Sequence, residues 1–140
     1  MTNAVSRHAL QQFLTAEFPQ IDMTVETVED DAVLIRQAID HQHLRPGRTV
    51  SGPTMMAVAD CAAYVALLAR IGIVPLAVTT SLNIHFLNKP SPDRAICAKA
   101  TLLKLGQRLA VSEVAIHSEG TPGLVAHAVV TYAIPAQRRR

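Results

Sequence analysis

The chain has 140 residues, which is within the size range of one domain, and 49% of them are hydrophobic and 17% charged. Because average domains carry roughly 25% charged residues, this composition excludes intrinsic disorder and favours a surface partly covered by another subunit. The net charge is +2, but without Arg138, Arg139 and Arg140 ten basic residues stand against eleven acidic ones. The charge therefore gives no sign of a nucleic-acid-binding surface on the body of the domain.

The cysteines and the N-terminal segment favour a location in the reducing cytoplasm. Cys61 and Cys97 lie in apolar runs without a spaced Cys pattern, so neither a disulfide framework nor a zinc cluster is predicted. The N-terminal segment is polar and amphipathic and lacks the apolar core of a signal peptide. The most apolar run, residues 55–69, is shorter than the roughly 20 residues of a membrane span and contains Asp60. We therefore predict a buried helix and no membrane partner.

The first third of the chain predicts a helix followed by a hairpin. Ser6 is a candidate N-cap, and apolar residues then recur at helical spacing until Pro19 ends the run. From Asp22 onwards apolar and polar residues alternate on both sides of an acidic turn at residues 30–31, as they do in two paired strands. Residues 41–49 are rich in His, Arg, Pro and Gly and are predicted to form a loop.

A long central helix is predicted after this loop. Pro53 suits its first turn with Ser51 or Gly52 as the cap, and Gly72 with Pro75 would end it. Six alanines keep this helix thin, which allows a sheet to approach it closely. They are Ala57, Ala59, Ala62, Ala63, Ala66 and Ala69.

The second half of the chain predicts four strands. They cover residues 76–87, 95–105, 108–118 and 124–134. Gly106 and Gln107 would form a two-residue type II′ hairpin, and residues 120–123 would form the next reversal. Strands joined by such short connections are antiparallel.

The order of these elements predicts one α+β domain spanning residues 1–140, with an antiparallel sheet against one dominant helix. Residues 1–20 would form an N-terminal helix, and residues 135–140 a basic, solvated tail. There is no internal repeat and no linker long enough to divide the chain into two domains.

Asp60 is the most unusual residue of the predicted central helix. It is the only charged residue between Arg48 and Arg70, and burying a carboxylate is unfavourable unless it is hydrogen-bonded or its pKa rises. Two interpretations stay open at this point. The carboxylate could be structural, either satisfied by a nearby hydroxyl such as that of Thr54 or Tyr64 or exposed at an interface. It could instead be functional, because perturbed carboxylates in clefts are enriched at active sites.

The turn at residues 51–54 is the second candidate site. Free backbone N–H groups at a helix start can stabilise an oxyanion or a phosphate, although every helix start also needs capping. Gly52 and Asp60 are separated by ~12 Å along the axis, at ~1.5 Å per residue. Within one chain they therefore cannot both contact the same carbonyl group.

The remaining candidates are weaker. Cys61 adjoins Asp60, but neighbouring helical residues point about 100° apart, so a core cysteine is favoured. His41 and His43 lack partners at metal-ligand spacing, and we predict neither a metal site nor a cofactor. Three histidines are expected on sheet faces: His85, His117 and His127. The motifs of serine hydrolases, dinucleotide-binding folds and P-loops are absent from the sequence.

Three segments together resemble the hotdog-fold acyl-CoA thioesterases of the PaaI type. They are RPGRTVSGPTMMAVADCAAYVALL, LAVTTSLNIHFLNKP and LLKLGQRLAVSEVAI. The resemblance extends over about residues 22–132 and implies the hotdog fold, an antiparallel β-sheet wrapped around a long central α-helix.

The resemblance also implies which residues form the site. By position, Asp60 matches the family's catalytic carboxylate, Gly52 matches the glycine whose N–H polarises the thioester carbonyl, and Thr79 matches a position whose hydroxyl lies near the attacking water. Three positions depart from the family pattern: Ser51 for its His, Pro53 for its second Gly, and Arg45 for its Asn. The Ser51 hydroxyl could still donate a hydrogen bond. The CoA arm is expected to lie over Asn83, Lys89, Lys104, Gly106 and Arg108.

The function implied is metal-independent hydrolysis of an acyl-CoA, with aryl-acyl-CoA among the candidates, by a homodimer or homotetramer. Asp60 would activate water or attack the carbonyl directly, while the Gly52 N–H would stabilise the oxyanion. The alternative is a non-catalytic acyl-CoA-binding module, because the family His and second Gly are missing. A hotdog hydratase would need an Asp/His pair in a loop, which we do not find. The length of the acyl tunnel is predicted to depend on how five residues pack across a dimer: Met55, Met56, Leu67, Leu68 and Phe86.

Overall fold

The computed structural model describes residues 5–136, and the predicted elements are present in the predicted order. The two helices are α1 (Arg7–Glu17) and α2 (Gly52–Ile71). The strands are β1 (Thr24–Val28), β2 (Ala32–Gln37), β3 (Leu44–Arg45), β4 (Thr49–Val50), β5 (Val78–Phe86), β6 (Ile96–Leu105), β7 (Leu109–Ser118) and β8 (Ala126–Ala133). The four late strands start and end within two residues of their predicted limits. The arginines at the C-terminal end lie outside the described residues.

Six strands form one sheet with every neighbouring pair antiparallel, in the order β1-β2-β6-β7-β8-β5. Strand β7 alternates buried and partly exposed residues, because one face of the sheet packs on α2 and the other does not. The alanines of α2 are mostly buried under this face, with Ala59 and Ala62 fully so. The predicted α+β architecture, a sheet wrapped around a central helix, is confirmed.

Local signals at both ends of α2 explain its limits. The Ser51 hydroxyl accepts a hydrogen bond from the Thr54 N–H at 3.2 Å, and Pro53 occupies the first turn. At the other end Gly72 adopts φ 100°, and its N–H bonds to the Leu68 carbonyl at 2.9 Å. Capping at both ends therefore fixes the whole helix, including Asp60 near its middle.

The length of α2 corrects one step of the sequence argument. The helix has 20 residues, so by length and composition it is long and apolar enough to cross a membrane. In the fold, however, 72% of its most apolar window is buried among other residues. Burial in the core, and not a short apolar run, is the observation that supports a core helix.

Two connections differ from their predictions. Residues 41–49 were expected to form a plain loop, but they contain a 3₁₀ turn (His41–His43) and the short β3–β4 hairpin. The prediction of a type II′ turn at Gly106 is wrong, because Gly106 does not have the positive φ that this turn requires. The connection spans residues 106–108 and is closed by the Gly106 N–H on the Leu109 carbonyl at 2.9 Å, after a bulge in β6 between Leu102 and Lys104.

The two edges of the sheet differ in whether other residues cover their backbone. At the β1 edge, α1 covers the backbone: Gln11 accepts from the Val25 N–H at 2.7 Å, and Arg7 donates to the Val25 carbonyl at 3.2 Å. At the other edge, β5 has nine largely exposed residues and pairs with no strand but β8 within the part of the chain described. An uncovered edge strand of this length is a template for pairing with another chain.

Candidate active site

Asp60 lies in the middle of α2, opposite the start of β5, and two hydroxyls hold one of its carboxylate oxygens. Thr79 Oγ1 donates to Asp60 Oδ1 at 2.6 Å, and the Tyr132 hydroxyl donates to the same oxygen at 2.9 Å. Among residues 5–136, no hydrogen bond reaches the second oxygen, Oδ2. The carboxylate is partly buried. It therefore presents one fixed oxygen and one free oxygen.

The two hydroxyls suggested as examples of Asp60 partners bind elsewhere, and the hydroxyls of Thr79 and Tyr132 satisfy the carboxylate instead. Thr54 Oγ1 accepts from Ser51 Oγ at 2.9 Å, and the Tyr64 hydroxyl donates to the Pro75 carbonyl at 3.1 Å. The hydroxyl of Thr79 does lie on the carboxylate, where the family resemblance places a site hydroxyl. The role of this hydroxyl near an attacking water stays a prediction.

Tyr132 is the site residue that sequence reasoning missed. It stands on β8, 72 residues after Asp60, and its hydroxyl also donates to the Asp60 backbone carbonyl at 3.2 Å. Burial, together with the nearby Asp60 charge, raises the pKa of Tyr132 above its ordinary value, so the hydroxyl stays protonated and remains a donor. The signal that could have found it is the alternation along β8, which places Tyr132 on the buried face of the sheet. A tyrosine at such a position brings its hydroxyl into the core.

Replacing Tyr132 with Phe is expected to lower kcat about tenfold or more, with the fold retained. The change removes one of two hydrogen bonds to a carboxylate, each worth roughly 1.5–3 kcal/mol. Tyr64→Phe is the matched control, because Tyr64 lines the same cavity but donates to Pro75 and not to Asp60. Steady-state kinetics of both variants test this, and equal losses in the two would contradict a specific action of Tyr132 on Asp60.

A cavity of about 430 Å³ opens in front of Asp60. Its polar side-chain groups are those of Asp60, Thr79 and Cys61, together with the tyrosine hydroxyls, of which Tyr64 donates to the Pro75 carbonyl and Tyr132 to Asp60. The remaining wall is apolar and consists of Leu14, Phe18, Ile21, Met23, Ala57, Tyr64, Pro75, Ala77, Val78 and Tyr132. This size and lining suit an apolar portion of a small ligand.

None of the residues predicted to set the acyl tunnel lines this cavity within one chain; because that prediction concerns their packing across a dimer, it stays a prediction. Leu67 and Leu68 belong to the buried core, with 1% and 0% of their surface exposed. Met55 is also buried, Met56 is exposed, and Phe86 lies at the start of α2, beside Gly52. The position of a residue along α2 does not show which face of the helix borders the cavity, because that depends on where the N-terminal segment packs.

Cys61 also lines the cavity, but its thiol is protonated. Burial, with a smaller effect of the Asp60 charge, raises the pKa of Cys61 to about 12. A thiol with this pKa provides almost no thiolate at neutral pH, and the thiolate is the nucleophilic form. The prediction of a core cysteine is supported.

The start of α2 forms a second, separate cavity of about 550 Å³. It is lined by Arg45, Thr49, Val50, Gly52, Met55, Phe86, Leu87, Asn88, Lys89 and Pro90. The Gly52 N–H makes no hydrogen bond with any residue from 5 to 136. A Cβ at Gly52 would lie 3.3 Å from the Phe86 ring, so only glycine leaves this amide uncrowded. Gly52 thus offers a free donor at a helix N-terminus.

Ser51 is engaged in capping this helix. Its hydroxyl accepts from the Thr54 N–H and donates to Thr54 Oγ1 at 2.9 Å. In the cap its proton lies on Thr54 Oγ1, and donation from Ser51 to a substrate stays a prediction.

The predicted CoA-contacting residues fall into two groups at opposite ends of the sheet. Lys89 follows the end of β5 and shares the cavity of Gly52 with Arg45. Lys104, Gly106 and Arg108 lie around the β6–β7 connection, which is at the end where β5 begins. Asn83 is exposed in the middle of β5. One chain therefore does not bring the predicted set together, and the contacts with CoA stay a prediction.

The histidines give no metal site within residues 5–136, where no three His, Cys, Asp or Glu side chains are placed to share an ion. His43 accepts from the Asp40 N–H in a local cap. His85 and His127 occur opposite one another on β5 and β8, as predicted for sheet-face residues, and His127 also pairs with Glu113 at 3.0 Å.

Comparison with known proteins places this geometry in a family. A model of the thioesterase superfamily matches residues 47–125. A crystal structure of a candidate thioesterase from Silicibacter sp. TM1040 is 38% identical, with 96% of this chain and 94% of that chain covered and a TM-score of 0.88. No relative was found among the curated proteins.

Two more distant structures show the fold alone. A thioesterase from Haemophilus influenzae is 17% identical, with a TM-score of 0.82 over 94% of this chain and 92% of that chain. A mutant of the phenylacetic acid degradation protein PaaI from Thermus thermophilus is 23% identical, with a TM-score of 0.72 over 89% of this chain and 99% of that chain.

Proposed function

Since the chain belongs to the thioesterase superfamily and has its hotdog fold, we propose that it hydrolyses acyl-CoA thioesters at sites shared between two subunits of a homodimer. Thioester hydrolysis is the chemistry of the family, whereas the CoA substrate and the dimer are the proposed parts. The observation that carries the proposal is the carboxylate of Asp60, with Oδ1 held by two hydroxyls and Oδ2 free at an apolar cavity.

The proposed reaction uses Asp60 as a general base. Oδ2 takes a proton from water, and the water oxygen attacks the thioester carbonyl carbon. The carbonyl oxygen becomes an oxyanion that accepts from the Gly52 N–H of the second subunit. When the intermediate collapses, the C–S bond breaks, and the Asp60 proton passes to the departing CoA sulfur. A positioned base contributes roughly 10²- to 10⁴-fold and an oxyanion donor roughly 10²- to 10³-fold.

Sharing the site between subunits follows from where the two groups lie. Asp60 and Gly52 line different cavities of one chain and are ~12 Å apart along the axis of α2. A two-fold axis through the centre of the β5 edge would pair two β5 strands antiparallel. The end of one β5, beside Gly52, would then lie beside the start of the other β5, opposite Asp60.

The same pairing would combine the two groups of predicted CoA-binding residues. Lys89 belongs to the Gly52 end of one subunit, where Arg45 lines the same cavity, and Lys104 and Arg108 belong to the Asp60 end of the other. Four positive side chains around one shared cleft would suit the phosphates of CoA. This charge arrangement supports a nucleotide-bearing thioester as the substrate.

Exposed apolar side chains along and beyond β5 support the same interface. Val78, Phe86 and Leu87 are exposed by 57%, 49% and 53%, respectively, in the single chain. Large apolar groups gathered at an uncovered sheet edge mark a protein interface more often than a free surface.

A thioester panel tests the proposed function directly. Purified protein is offered short, long and aromatic acyl-CoAs, with thiol release as the readout, and turnover of at least one of them is expected. Tight binding of acyl-CoA without any thiol release would instead support the non-catalytic binding module.

A further inference from the structure

The Asp60 cavity has a far wall that comes from the N-terminal part of the chain. Leu14 and Phe18 stand at the end of α1, and Ile21 and Met23 follow in the segment that leads to β1. Leu14 and Met23 are only 2% and 7% exposed, so this wall is packed against the core.

Hydrogen bonds hold this wall in place. The Phe18 N–H bonds to the Leu14 carbonyl at 2.9 Å, and the Ile21 N–H bonds to the Phe18 carbonyl at 2.9 Å. Gln11 and Arg7 tie the preceding turns of α1 to the backbone of β1. The wall is therefore bound to the sheet and is part of a fixed cavity.

The rings of Tyr64 and Phe18 form part of the cavity wall about one helical turn beyond Asp60. Tyr64 follows Asp60 by one helical turn, or roughly 6 Å along the axis. The ring of Phe18 packs edge-on against that of Tyr64, with centroids 5.8 Å apart and an interplanar angle of 84°. An acyl chain whose carbonyl lies at Asp60 would reach these rings after a short run.

Beyond Asp60, Thr79 and Cys61, the wall offers no free polar side-chain group. The Tyr64 and Tyr132 hydroxyls already donate to the Pro75 carbonyl and to Asp60, so neither has a proton left for a ligand. A carboxylate at the far end of an acyl group would therefore find no tyrosine hydroxyl to donate to it, which is unfavourable. The lining selects apolar acyl groups.

From this geometry we propose that α1, chiefly through Phe18, sets the upper size limit of the acyl group, so that compact apolar acyl groups are accepted and long chains are excluded. This inference rests on the proposed function and deepens it. Phe18 would be a specificity-determining residue outside the region of the thioesterase match, which covers residues 47–125.

The test compares Phe18→Ala with Phe13→Ala. Phe13 also lies on α1 and packs on Phe18 and Tyr64, with centroids 6.1 and 6.2 Å apart, but it does not line the cavity. For each protein, kcat/KM is measured from butanoyl- to hexadecanoyl-CoA and with phenylacetyl-CoA. Phe18→Ala should raise the ratio of long-chain to short-chain kcat/KM at least about tenfold, the effect of a lost contact in an apolar pocket.

Phe13→Ala should leave that ratio within a few-fold of the wild type. Phe18→Leu, which keeps more of the packing, should give a smaller shift in the same direction if Phe18→Ala proves unstable. The proposal is overturned if the wild type already prefers hexadecanoyl-CoA, or if the two alanine variants shift the ratio equally.

The proposal and the proposed function can fail separately. If no acyl-CoA is hydrolysed, the proposed function fails, and the same ratio is taken from dissociation constants measured by calorimetry over the same series. An unchanged ratio of dissociation constants in Phe18→Ala would then overturn the size limit as well.

Discussion

Asp60→Asn is expected to lower kcat at least about a hundredfold while the protein stays folded. Thr79 and Tyr132 both donate to Oδ1, so they would select the amide oxygen of the new Asn for that position. The NH₂ group would then occupy the position of Oδ2. It cannot take a proton from water or attack a carbonyl carbon, so the variant loses base and nucleophile together with little change of shape.

Steady-state thiol release measures this loss, and circular dichroism and thermal unfolding check the fold. Asp30→Asn is the matched control, because Asp30 is an exposed aspartate in the β1–β2 turn, outside the Asp60 cavity. It should retain wild-type turnover. A folded Asp60→Asn variant with near-normal kcat would remove Asp60 from the mechanism.

Mixing two inactive variants is expected to restore activity, because the proposed site takes Asp60 from one subunit and Gly52 from the other. Gly52→Pro removes the backbone N–H at a position where the helix tolerates proline. Ser51, with φ −71° and ψ 151°, already has the extended backbone that a following proline requires. A dimer of Asp60→Asn with Gly52→Pro would hold one site with both defects and one site with neither, and should regain half of the wild-type activity.

Crowding against Phe86 must be separated from the loss of the N–H. Gly52→Ala keeps the N–H but places a Cβ 3.3 Å from the Phe86 ring, so it is the control for crowding alone. It should retain more activity than Gly52→Pro. Subunit exchange is verified with differently tagged chains, and verified exchange without recovery would show that the two groups do not act together across an interface.

Local signals predicted the elements well because they depend on neighbours in sequence. Ser6 and Ser51 cap the two helices as expected, and alternation placed the four late strands. The environment of Asp60 could not be predicted in the same way. Tyr132 reaches it only because β8 crosses beneath α2, and a helical wheel around Asp60 shows Tyr64 instead.

The walls of the cavity were missed for a related reason. The tunnel was assigned to apolar residues of α2 and to Phe86 as they pack across a dimer, and within one chain Leu67 and Leu68 are buried in the core. The cavity beside α2 is instead lined by Phe18 and the segment after it. No periodicity in the sequence shows where the N-terminal helix α1 will dock. The fold class, in contrast, depends on the order of helices and strands, so an error in the cavity walls does not change that prediction.

The unequal edges of the sheet determine how many copies of this chain can join by strand pairing. Arg7 and Gln11 bind the backbone groups of Val25 at one edge. At the other edge, the outward-facing backbone groups of β5 pair with no strand among residues 5–136. A chain with one covered edge can pair with only one neighbour. In the resulting pair, the free N–H and C=O groups of each β5 would be hydrogen-bonded to the β5 of the other chain. In the proposed dimer, growth by strand addition would therefore end at two chains, and α1 would prevent the open-ended association that a second free edge allows.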